Sequence, residues 1–282
     1  MLNLHVRCTR GICWSPLKPQ RRYITSHSFS TQPPTQVVVV VMSIMHPCVN
    51  HTSPMSSFSF AGFYESWFDH LQHLLHQLSA ATRPPKTAEE NHKLLILIDK
   101  VMAHYDDYYR TKSVAAQNDP LQMLVSPWAT TLERSLHWIA GWRPTIAFHL
   151  VYTESSVLFE SHIIDILRGV RTGDLGDLSP SQFRRVSQLQ CDTVKEENAI
   201  TEELSEWQDS GSEMIEGVAE MEEKMEVLGK IITKADDLRL RTLKSVVGLL
   251  TPQQAVDFLI ASAELLSGIR SWGINHDRRR SR

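Results

Sequence analysis

An all-α fold, an antiparallel helical bundle with one long heptad-patterned helix, is what this sequence predicts, and three observations predict it. Apolar residues recur at spacings of three and four from Phe60 onward. Only 12 glycines occur in 282 residues, whereas strand-rich and loop-rich folds spend more of them at turns. Two helix starts carry a full capping pattern: Ser179-Pro180-Ser181-Gln182 and Thr251-Pro252-Gln253-Gln254. Each pairs a capping hydroxyl with a first-turn proline and a glutamine three residues on. No alternating strand pattern competes outside the first 54 residues.

Each helix has its own stripe. Phe60, Phe63, Tyr64, Trp67, Phe68, Leu71, Leu74, Leu75 and Leu78 form a wide apolar face that ends before Pro84-Pro85. A second helix is predicted from Ala88 to Ala116 through Leu94, Ile98, Val101, Met102, Tyr105 and Tyr109, stopped by Asn118-Asp119-Pro120. A short one follows over Thr130 to Ala140, and Arg143-Pro144 opens another through Phe148 and Val151. Val157 to Leu167 reads as one more segment, and Gly169, Gly173 and Gly176 mark a loop. The first capping pattern opens a helix to about Trp207, and the second opens the last one through Ile269. Between them, Ser212 to Leu250 is the longest element. Its seam is Met214, Val218, Met221, Met225, Leu228, Ile232 and Ala235, alternating by four and three.

Residues 1–54 differ from the rest. They hold Arg7, Arg10, Lys18, Arg21 and Arg22, while the first acid in the chain is Glu65. That is the composition of a transit peptide, yet Pro16, Pro19, Pro33 and Pro34 spoil an amphipathic helix. The alternative is a disordered or over-extended gene-model segment, with Met42, Met45 and Met55 as other starts. The expected organisation is therefore a disordered leader over 1–54, a helical domain over 55–271 and a basic tail over 272–282.

Composition narrows function. Hydrophobic content of 42%, charged content of 22% and a net charge of −3 are ordinary for a globular protein and argue against a general polyanion binder. The cysteines are Cys8, Cys13, Cys48 and Cys191, with no C-x-x-C pair, which argues against a disulfide framework or zinc site. No apolar run approaches the roughly 20 residues of a membrane-spanning helix. No phosphate loop, nucleophile elbow or H-E-x-x-H occurs, and the chain reads as non-enzymatic with no metal and no cofactor. His70, His73 and His76 step around the first helix away from its apolar stripe and read as solvated. From Asp192 to Asp237 the chain is strongly acidic, the usual outer face of long helices. The next segment is basic and amphipathic: Leu238, Arg239, Arg241, Leu243, Lys244 and Val247 resemble a calmodulin target, although the same leucines also continue the bundle seam.

Several blocks together resemble a family. These are Phe63-Tyr-Glu-Ser-Trp-Phe68, Val101-Met-Ala-His-Tyr105, Tyr108-Tyr-Arg-Thr-Lys-Ser-Val-Ala-Ala116 and Trp128. With them stand Glu133-Arg-Ser-Leu-His-Trp-Ile-Ala-Gly-Trp-Arg-Pro144, Ala235-Asp-Asp-Leu-Arg-Leu-Arg-Thr-Leu243 and Gln254-Ala-Val-Asp-Phe-Leu259. The chain from Phe60 to Ile269 is similar to the plant Delay of Germination domain, which also forms the C-terminal part of TGA-class bZIP transcription factors. The most specific block supplies Glu133, Arg134, Trp138, Gly141, Arg143 and Pro144. The resemblance implies a regulator of transcription, seed dormancy and abscisic-acid signalling in nucleus and cytoplasm. It further implies protein phosphatase 2C, transcription-factor and calmodulin partners, haem binding, and sequence-specific DNA binding as alternatives. Residues 1–54 show neither a basic helix nor leucine heptads, so direct DNA contact is not expected. No membrane partner is expected, and a homo-oligomer is compatible with the pattern. Tyr64, Trp67 and Phe68 are the expected partner anchors, because aromatic residues dominate interface energetics.

Overall fold

The computed structural model describes residues 59–210 and 218–280, with side chains at 218 and 219 excepted. The leader over 1–54 and Met214 of the predicted seam lie outside the described residues. Among the described residues nine α-helices follow in order: α1 (Phe60–Ala80), α2 (Ala88–Asn118), α3 (Pro120–Val125), α4 (Thr131–Leu136), α5 (Ile146–Ser161), α6 (Ile163–Leu167), α7 (Pro180–Asp209), α8 (Val218–Leu249) and α9 (Pro252–Arg280). A 3-10 turn at Leu175–Asp177 precedes α7, and no strand occurs among the described residues. The all-α bundle predicted from periodicity is the fold observed.

Helices α1 and α2 run antiparallel, with Phe60 by Tyr108 and Trp67 by His104, and so do α7 and α8, with Trp207 by Lys224 and Gln182 by Leu249. At one end of the bundle, Arg83 after α1 meets Asp257 of α9 at 2.6 Å. The two predicted capping boxes meet at that same end. Ser179 accepts from the Gln182 backbone N–H, and Thr251 accepts from that of Gln254. Gln182 Nε2 then donates to Gln254 Oε1 at 2.7 Å and to the Leu249 carbonyl at 3.1 Å. Two helix starts and one helix end are thus tied through one pair of amides. At the opposite end, Phe60 packs on Trp128 with ring centroids 4.6 Å apart, and Gly229 of α8 lies against the Ala116 carbonyl of α2.

Four boundaries differ from the sequence reading, each for a physical reason. The predicted Thr130–Ala140 helix stops at Leu136, since the chain turns extended at His137 and then takes left-handed φ of 45° and 60° at Ile139 and Ala140. The predicted Val157–Leu167 segment is broken at His162, since α5 has already begun at Ile146 and ends at Ser161. The seam of α8 is buried from Leu228 onward, while Met221 is exposed. The last helix does not end at Ile269 but runs on to Arg280, taking in the basic residues read as a tail. Gly273 permits that extension. A Cβ there would stand 2.2 Å from Thr130 Oγ1, so only glycine lets α9 lie so close to the start of α4.

Candidate functional site

The distinctive block from Glu133 to Pro144 crosses the bundle as a corner between α4 and α5, and the chemistry of the domain gathers around it. From α2 comes Lys112, three residues after Tyr109 and seven after Tyr105, on the core face. From α8 come Asp236 and Arg239. Lys112 Nζ donates to Asp236 Oδ1 at 2.9 Å and to the Ala140 carbonyl at 2.7 Å. Arg239 donates to Asp236 Oδ1 at 2.5 Å, to the Trp142 carbonyl at 2.6 Å, to the Ile139 carbonyl at 2.7 Å and to the Trp138 carbonyl. Both cations are almost fully buried. One carboxylate therefore faces two cations, and four backbone carbonyls complete their solvation. Left-handed φ at a β-branched residue such as Ile139 is strained. The strain is held because that turn points its carbonyls at Arg239 and Lys112.

Burial pushes the Lys112 ammonium down to about 8, against the pull of Asp236. Burial, reinforced by Lys112 and Arg239, pushes His137 down to about 4, so the imidazole is neutral at neutral pH. Tyr108 and Tyr109 are pushed well up by burial. Their phenols stay protonated, and that of Tyr109 accepts from Trp142 Nε1 at 2.8 Å.

A second knot ties the same block to α1 and α9. Glu133 caps α4 by accepting from the Thr130 N–H at 2.7 Å, and its other oxygen accepts from the Tyr64 hydroxyl at 2.8 Å. Arg270 lies 3.4 Å from Glu133, reaches Glu65, and packs over the rings of Tyr64 and Phe68 at 4.8 and 4.7 Å. A third contact involves Arg143, whose Nε donates to the buried Glu197 of α7 at 2.8 Å. Glu197 also accepts from the Thr145 N–H at 2.7 Å, at the start of α5. Trp138 donates to Thr201 at 3.0 Å and underlies Arg239 at 5.3 Å. Gly141 leaves room for the Arg239 guanidinium. Arg134 is exposed, and Pro144 sits two residues before α5.

The sequence expectations fare unequally. Tyr64, Trp67 and Phe68 are only 8%, 6% and 7% exposed, so they are core residues and not surface anchors. Trp67 is engaged reciprocally with α2: its Nε1 donates to the His104 carbonyl at 3.1 Å, and His104 Nε2 lies 3.0 Å from the Trp67 carbonyl. In the calmodulin-like segment, Leu238, Arg239 and Leu243 are buried and Val247 is half-buried. The exposed cations are Arg241, paired with Glu196 at 2.7 Å, and Lys244, paired with Asp106 at 2.6 Å. As folded, the segment spends its apolar face and its first arginine inside the bundle. Lys112, Arg270 and Gly273 were not singled out in the sequence, and Glu197 and Asp236, within the acidic run read as an outer face, are instead buried in the bundle. The signal was present for Lys112 and Arg239, since both occupy core-face positions of otherwise apolar stripes.

Beside this corner lies a cavity of about 200 Å³, lined by Trp67, Tyr105, Tyr108, His137, Trp142 and Phe258 among others. It is smaller than the roughly 300–1,000 Å³ typical of cofactor pockets. His276, the one histidine after His162, stacks on Trp272 at 5.3 Å and lies 3.4 Å from Asp277. These residues do not fit a haem. Among the described residues, no group of three or more His, Cys, Asp or Glu is placed to hold a metal ion. No described helix is long and apolar enough to cross a membrane.

Fold and corner together define an all-helical module whose polar interior braces helices against one another. The family model described as "DOG1: Seed dormancy control" matches residues 70–153. The chain is 31% identical over 231 residues to Protein DOG1-like 4 of Arabidopsis thaliana, covering 76% of this chain and 91% of that protein. It is 28% identical over 248 residues to Protein ZW2 of the same plant, covering 78% and 98%. Against Transcription factor TGA2, also from Arabidopsis thaliana, identity is 26% over 224 residues, covering 78% of this chain and 65% of that protein. The chain belongs to the seed dormancy control (DOG1) family.

Proposed function

We propose that this protein is a non-enzymatic regulator in transcription control and seed dormancy, acting by binding other proteins. The observation that carries the reading is its likeness both to Protein DOG1-like 4 along nearly all of that relative and to Transcription factor TGA2 along 65% of it. The geometry agrees: Glu133, Trp138, Trp142 and Arg143 of the block are bonded to side chains of α1, α2, α7 and α9, which makes a stiff frame and leaves recognition to the surface.

Within this reading, α1 serves as the frame of a recognition surface. Its aromatic face is fixed on α2 and α9, while Ser66, Asp69 and His73 look outward. A phosphatase or transcription-factor partner in nucleus or cytoplasm would read that outer face. The test is expression of the full chain in Arabidopsis thaliana seed, with germination timing and transcript profiles as readouts. Altered dormancy that is lost with Ser66→Arg/Asp69→Arg, at equal protein level, supports the reading. Unchanged germination and transcripts at high protein level overturn it.

A further inference from the structure

The Glu133–Pro144 corner encloses a space that its bracing role does not use. Where the chain turns at Ala140 and Gly141 and enters α5 through Ala147, only small residues face the bundle, and the cavity of about 200 Å³ is the room they leave. The rings of Trp67, Tyr105, Trp142 and Phe258 form its walls. Leu136, Ile146 and Leu265 also line it and are exposed to solvent, so they mark its opening. Apolar cavities of about 150 Å³ stay dry and take up a benzene-sized guest.

Two polar groups in this lining are left unengaged. Tyr105 is hydrogen-bonded to Ser262, and Tyr109 accepts from Trp142. By contrast, the Tyr108 phenol and the His137 imidazole have no hydrogen-bond partner among the described residues. Burial keeps the phenol protonated and the imidazole neutral. A guest therefore meets an O–H donor and a neutral ring that can accept. The charges around the cavity are already paired: Lys112 and Arg239 with Asp236, and Arg270 with Glu133. An ionised guest would give up water and find no free counter-charge.

We propose that this cavity is a binding site for a small, flat, uncharged aromatic molecule carrying one hydroxyl group. The aromatic part lies among Trp67, Tyr105, Trp142 and Phe258, and the hydroxyl is bonded by the Tyr108 phenol and the His137 imidazole. The guest enters past Leu136 and Leu265. A space of about 200 Å³ suits one or two fused rings and excludes anything of haem size. The inference goes beyond the regulatory reading above and does not depend on it.

Equilibrium dialysis of the full chain at neutral pH reads this directly, with naphthol, naphthalene and naphthoate as probes. They share one ring system and differ in carrying a hydroxyl, no polar group or a carboxylate. Naphthol and naphthalene should bind, and naphthoate should bind roughly a hundredfold more weakly than naphthol or not at all. Tyr108→Phe and His137→Leu should each weaken naphthol roughly three- to tenfold and leave naphthalene unchanged. Because the Tyr108 hydroxyl bonds to nothing in the fold, Tyr108→Phe should also keep the wild-type melting temperature. Leu265→Trp, at an exposed position in the opening, should weaken naphthol and naphthalene alike. No binding of naphthol to the wild-type chain overturns the proposal. So does naphthoate bound as tightly as naphthol, or naphthol binding that ignores all three variants.

Discussion

A Cβ on Gly141 would stand 3.0 Å from the guanidinium carbon of Arg239, so the bare α-carbon is the opening through which that side chain reaches the carbonyls of residues 138–142. The guanidinium cannot yield easily, because Asp236 and three carbonyls fix it. Gly141→Ala should therefore cost about 1–3 kcal/mol, the range for overpacking a filled interior. A urea titration measures it as a lowered midpoint with an unchanged slope. Wild-type stability for this variant would mean that the close approach is not maintained in solution.

The Lys112–Asp236–Arg239 cluster gives a sharper contrast. Asp236→Ala leaves two buried cations facing each other without a carboxylate, and about 3–5 kcal/mol should be lost. Lys112→Met should cost less, because Asp236 keeps Arg239 and methionine fills much of the lysine's space. Arg241→Glu, two residues from Arg239 on the exposed side of α8, should change stability by about 1 kcal/mol or less. Equal losses for Asp236→Ala and Arg241→Glu would refute the assignment of one face of this segment to the core.

These contrasts show what the sequence made legible. Helix existence, the aromatic face of α1 and both capping boxes were readable, because spacing and capping chemistry act over three or four residues. The pairing of the buried charges was not. Lys112, Asp236 and Arg239 are 124 and 3 residues apart along the chain, and nothing local shows that a lysine and an arginine will share one carboxylate. The stop of α4 escaped notice for the same reason: the turn at Ile139 and Ala140 is held by cations from α2 and α8. The roles given to Tyr64, Trp67 and Phe68 changed because an aromatic stripe looks alike whether it faces a partner or the core. The basic amphipathic run after Asp237 read both as a calmodulin-like segment and as a continuation of the seam; its leucines do lie in the core, with Arg239 pairing inward and Arg241 outward.

Gly273 carries a prediction about the last turns of α9. Gly273→Ala would force its Cβ into Thr130, whose Cβ would be 2.7 Å away, so the helix must shift or fray. Asp277, which accepts from the Thr131 N–H at 2.9 Å, would lose that contact too. Hydrogen exchange over 274–280 should speed up markedly, with about 1–3 kcal/mol lost globally. Exchange equal to wild type in that stretch would show that the end of α9 does not depend on the notch.

The neutral imidazole of His137 makes a prediction about acid. Burial holds its folded-state pKa at about 4, against 6.5 for the free side chain. Between those values the unfolded chain takes up a proton that the folded chain refuses. The contribution is thus fully present above pH 6.5 and drains away as pH falls toward 4. With the ring partly exposed, about 2 kcal/mol is a reasonable size for it. His104, also lowered by burial, adds to the same limb. His137→Gln removes one titration and leaves the other. Its stability should therefore fall about 2 kcal/mol less than wild type between pH 6.5 and 4, followed by denaturant titration at a series of pH values. Parallel curves for the two proteins across that window would mean that burial beside Lys112 and Arg239 does not hold the ring neutral.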